Sequence, residues 1–223
     1  MRFEITDGPV FTRLVVSLDA GEAFKAEAGA MVSMSPSIEL ESKGTGKGVF
    51  GSIKAAVGGE SLFASIFKAQ QGAGEVVLAP GTPGDIKQFS LNNQTILAQS
   101  GAYLAGSVDL DLSTQGSLKA LISGEGLFLS KISGTGDVFI NSFGSIYEKE
   151  LADGETYIVD TGHIVAFESQ VTYTLKKAAK SLISSFTSGE GLVAEYKGPG
   201  KLWVQTRNLS AFAGMLAPFL TKR

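Results

Sequence analysis

The chain contains no cysteine and a single histidine. Disulfides, thiolate nucleophiles and cysteine-held metals are therefore excluded, and one histidine cannot build the usual structural zinc sets. Charged residues are scarce at 18%, and the formal net charge of −3 gives no bulk attraction to nucleic acid or anionic lipid. No run approaches the ~18 continuous apolar residues of a membrane span. The opening stretch MRFEITDGPVFTRLVVSL lacks the charged start, apolar run and cleavage site of a signal peptide, so the cytoplasm is the expected compartment. No proline-rich or charged linker interrupts the 223 residues, so a single domain is expected.

Glycine, by contrast, is abundant at 28 residues, and it recurs at matched places. GGESLFASIFK begins at Gly58, SGEGLFLSK at Ser123 and SGEGLVAEYK at Ser188. Their glutamates, Glu60, Glu125 and Glu190, are evenly spaced. After each motif comes a strand-like run, a G-x-G at Gly72, Gly134 or Gly198, and a second run, EVVLA, DVFIN or KLWVQ. This order predicts a hairpin with a glycine-bearing loop in every unit.

Upstream, GEAFKAEAGAM, NQTILAQSGAY and GETYIVDTGHI align on Gly29, Gly101 and Gly162. SIELES, VDLDLS and VTYTLK follow them and alternate apolar with polar residues, the mark of half-buried strands. GSIKAAVGG, SLKALISG and KKAAKSLISSFTSG read as short helices ended by the motif glycines. A unit of roughly 65 residues thus occurs three times. The expected fold is all-β, with three pseudo-threefold-related, β-sandwich-like repeats over about 1–80, 81–151 and 152–223, short helical insertions and a C-terminal helix.

That last helix is read from LSAFAGMLAPFL. Leu209, Phe212, Leu216, Phe219 and Leu220 make it apolar nearly all round, which predicts cover on most sides. Pro218 should end or kink it, and at this length it cannot cross a bilayer. These five residues are the candidate interface.

Constellations with chemical potential are few. DTGH holds Asp160 and His163, but no G-x-S-x-G elbow accompanies it, and His163 aligns with Ala30 and Ala102. A hydrogen-bonded structural histidine is the expectation. Glu39/Glu41 and Asp109/Asp111 could face a hard cation, yet Thr172 and Thr174 break the set in the third unit, which favours a solvated face. Glu60, Glu125 and Glu190 are read as turn carboxylates accepting backbone N–H bonds. GKGVFG at Gly46 fits a dinucleotide fingerprint but lacks its βαβ setting. Lys176, Lys177 and Lys180 form one small basic patch, read as a solvated face.

The ordered motifs AEAGAMV, GGESLF, QSGAYLAG, SGEGLFLSKISGTGDVFINSFG, VDTGHIVAFE and SGEGLVAEYKGPGKLWVQTRN resemble the family named for altered inheritance of mitochondria, over essentially the whole chain. The resemblance implies a fold like that of the tryptophan RNA-binding attenuator protein, in three copies. It also implies a fungal member linked to inner-membrane organisation, and no established catalytic residues. The expectation is a non-enzymatic structural or scaffold protein acting through self-assembly or partner binding. A small-ligand or RNA-binding module of attenuator-like fold is the alternative. No cofactor is expected. A homo-oligomer or a protein partner is, with no strong nucleic-acid signal, no transmembrane segment, and a surface compatible with peripheral membrane contact.

Overall fold

The computed structural model describes residues 1–42, 64–115, 127–177 and 192–220. The first two expected short helices and Glu60, Glu125 and Glu190 lie outside these residues, as does the third from Ala178 on, while its first two residues, Lys176 and Lys177, are strand rather than helix. What is described is strand throughout, apart from one helix and a 3₁₀ turn at the C-terminal end.

The strands are β1 (Arg2–Thr6), β2 (Arg13–Leu18), β3 (Ala23–Glu27), β4 (Met31–Met34), β5 (Ile38–Ser42), β6 (Ala64–Ala69) and β7 (Gly74–Leu78). Next come β8 (Ile86–Gln99), β9 (Tyr103–Ser107), β10 (Asp111–Gln115) and β11 (Leu129–Asn141). The series ends with β12 (Ile146–Leu151), β13 (Thr156–Asp160), β14 (Ile164–Glu168), β15 (Thr172–Lys177), β16 (Leu192–Lys197) and β17 (Gly200–Gln205). Helix α1 spans Leu209–Leu216.

Period-two patterning decides what each strand buries. In β2 the residues Leu14, Val16 and Leu18 point inward, while Arg13 is exposed. They meet Phe24, Phe67, Val76 and Leu78 in the first of three clusters of buried residues. Phe24 and Phe67 stack there with ring centroids 5.1 Å apart. A second cluster gathers around Ile132, Val138 and Trp203, and a third around Phe167, Tyr196 and Leu202.

The predicted hairpins do not form. β6 pairs with β3 and β5, whereas β7 pairs with β2 and β4, so the chain passes from one sheet into another at the first G-x-G. β16 and β17 separate in the same way, onto β13 and β15 and onto β12 and β14. In the middle of the chain the two runs merge into the single long strand β11, whose register on β8 shifts between Gly134 and Gly136. Both glycines have positive φ, 123° and 145°. That region, hardly open to other residues, lets the strand bend without reversing.

One pairing detail recurs three times. β4 on β7 shifts register between Met31 and Ser33, β9 on β11 between Phe139 and Ile140, and β14 on β17 between Ile164 and Ala166. In each case one residue is left over on the strand that follows the aligned glycine: Val32, Leu104 or Val165.

Candidate functional site

Three places collect side chains able to do something at the surface. The first is the C-terminal end. Asn208 starts α1 by accepting the Ala211 N–H through Oδ1 at 3.1 Å. The helix stops at Leu216, and the 3₁₀ turn Ala217–Phe219 carries Pro218, as expected. Phe212 sets its ring edge-on against Phe143, with centroids 5.4 Å apart. The expected cover is missing: no residue of α1 is buried, and Leu209, Phe212, Leu216, Phe219 and Leu220 are all exposed, Phe219 by 82%. The five predicted interface residues are thus together on one exposed element.

Beside the helix lies a cavity of about 300 Å³, lined in part by Gln99, Asn141, Gln205 and Asn208. The amides of Asn141 and Gln205 are committed to backbone. Asn141 donates to the carbonyls of Gly101 and Ala102, and Gln205 donates to the Gly162 carbonyl at 3.0 Å while accepting the Phe143 N–H at 2.8 Å. His163 belongs to the same lattice, with Nδ1 donating to the Gln205 carbonyl at 2.9 Å. Asp160 turns its carboxylate to the Gly162 N–H at 2.8 Å. Each half of the DTGH pair is thus bonded to backbone, which fits the structural reading of His163.

The third place was not legible in the sequence. Glu148 receives Lys201 at 2.8 Å, Lys87 at 3.1 Å and the Trp203 indole N–H at 2.9 Å, at the rim of a polar cavity of about 540 Å³. The hydrogen bond from Lys201, joined by those from Trp203 and Lys87, pulls the Glu148 carboxyl down to about 2. Phe89 stands edge-on to Trp203 at 4.5 Å. These residues come from β8, β12 and β17, far apart in sequence, and nothing local marks them. The charges satisfy one another and Trp203 is 4% exposed, so the cluster fastens three strands and presents no open stacking face. Glu39, Glu41, Asp109 and Asp111 are exposed, with Asp109 in the turn before β10 rather than on it. Among the described residues no three histidine or acidic side chains gather as a metal would need. No described helix is long and apolar enough to cross a membrane.

Comparison with known proteins agrees with the motif order. Residues 3–207 match the family described as mitochondrial biogenesis AIM24. The chain belongs to the AIM24 family. A relative from Streptococcus pyogenes, called an uncharacterised protein, is 34% identical, over 99% of this chain and 91% of its own length. A crystal structure of a protein from the same species superposes with a TM-score of 0.81 at 32% identity, covering 98% of this chain and 99% of that one. Neither relative's name carries an activity.

Proposed function

We propose that the protein is a non-enzymatic structural protein of the AIM24 family that works by assembling with further copies or with a protein partner, as one body of three related units. The observation that carries this reading is α1. Leu209, Phe212 and Leu216 on this helix, and Phe219 and Leu220 on the turn that follows it, stay in water within a single chain. A contiguous apolar surface of this kind marks an interaction site. Supporting it, the charged and amide-bearing clusters elsewhere are closed on themselves, as a framework would have them. The chemistry is contact rather than turnover, and no cofactor takes part.

Deleting residues 209–223 tests this. The truncated chain keeps its strand signal in circular dichroism and loses assembled mass in light scattering, or loses a partner captured by the full chain. An unchanged assembly rejects the helix as the contact surface.

A further inference from the structure

Among the described residues the chain makes the same strand junction twice and leaves the parts of a third unpaired. At the first junction β3 lies antiparallel to β9, with Lys25 opposite Gly106 and Ala26 opposite Ala105. At the second, β8 lies antiparallel to β14, with Leu97 opposite Phe167 and Ala98 opposite Ala166. Counted from the aligned glycines Gly29, Gly101 and Gly162, the two registers are identical. The same offset puts Val159 of β13 opposite Ser33 of β4, and Ile158 opposite Met34. Yet β13 and β4 sit at the edges of two different sheets, the three-stranded and the four-stranded.

Burial shows what each is missing. β9 and β14 are buried over their first four residues, whereas every residue of β4 is exposed, Val32 by 63%. On the other side Ile158 is 53% exposed. The core clusters agree. The first takes in Leu104, Ala105 and Phe139 from the following unit, and the second takes in Val165, Ala166 and Trp203 from the next. The third takes in nothing from residues 1–80.

Of the remaining edge strands among the described residues, β1 carries Arg2 and Glu4, β5 carries Glu39 and Glu41, β12 carries Glu148, Lys149 and Glu150, and β15 carries Lys176 and Lys177, while β10, paired on one side to β11, carries Asp111. Charges on an edge discourage pairing with another chain. β4, Met-Val-Ser-Met, has none, and β13 has only Asp160 at its end.

We propose that β13 of one copy pairs antiparallel with β4 of a second copy, in the register the chain already uses twice. The pairing merges the three-stranded sheet of one copy with the four-stranded sheet of the next. It rests on the assembly reading above and names its partner and surface. The contact is head-to-tail, and repetition gives a closed ring or a filament.

The absence of cysteine makes the register directly readable. Met34→Cys and Ile158→Cys are made as separate full-length proteins, mixed and oxidised. Opposed residues of an antiparallel pair stand about 5 Å apart at Cα, within disulfide reach. The mixture is expected to yield a disulfide-linked dimer on a non-reducing gel, and neither protein alone to yield one. No dimer in the mixture overturns the proposal. So does the double variant linking only within one chain, which would show β13 closing onto its own β4. Light scattering on the wild type separates the two failures. An assembled wild type without the link overturns this junction alone, and a wild type that stays single overturns the assembly reading with it.

Discussion

Single side chains hold this fold in two distinguishable ways. Phe67 is buried to 1% and stacks on Phe24, so Phe67→Ala removes packing from the first core cluster. It should cost about 3–5 kcal/mol in denaturant unfolding. Glu148 acts through charge instead. Its folded carboxyl titrates at about 2, below the ordinary 4.5. The stability it adds is therefore complete above that ordinary value and is lost as pH falls towards 2. Glu148→Gln should lower the melting temperature at pH 7, and the gap to wild type should close as pH approaches 2. A gap that stays constant with pH would show that Lys87 and Lys201 contribute nothing through the carboxylate. His163 belongs with neither group. His163→Ala removes one bond to the Gln205 carbonyl and should cost about 1 kcal/mol while leaving the assembled mass unchanged. The alignment of His163 with two alanines led to the expectation of a hydrogen-bonded residue, and Nδ1 does bond the Gln205 carbonyl. The Glu148 cluster was not legible, because Lys87, Glu148 and Lys201 meet only after three strands have paired.

At the scale of elements, alternation was readable and direction was not. The inward faces of β2 and β3 follow from their apolar periods. A G-x-G between two strand-like runs, however, serves a tight turn and a bent strand equally well, since both require positive φ. Only the partners decide, and β6 and β7 have different ones. Gly136 shows the requirement most sharply. Its φ is 145°, and an added Cβ would stand 2.7 Å from the Ser107 side chain. Gly136→Ala should destabilise the chain by at least about 1–3 kcal/mol, measured by thermal unfolding, because backbone strain and a clash act together. Gly101, with positive φ but open space around its Cβ position, should lose less on the same change. Helix α1 was expected over LSAFAGMLAPFL and does begin at Leu209, but it stops at Leu216, with Pro218 in the 3₁₀ turn that follows. Its exposure was not legible, since an apolar surface in sequence looks the same whether its cover comes from the same chain or from another.

At the scale of the whole molecule, the recurring register and the unequal exposure of equivalent strands lead to one picture. On the proposed reading, successive units lend each other a strand edge, and among the described residues β4 and β13 are left at sheet edges. The matched motifs led to the expectation of three units, but Met-Val-Ser-Met reads like any interior strand, so nothing there marked it as an open edge. Joining of copies, by these strand edges, is the central claim. It is tested most directly by light scattering on the purified full-length protein over a range of concentrations. The account predicts a mass well above the 23.3 kDa of one chain, rising or holding as concentration rises. A mass of 23.3 kDa at every concentration would contradict it.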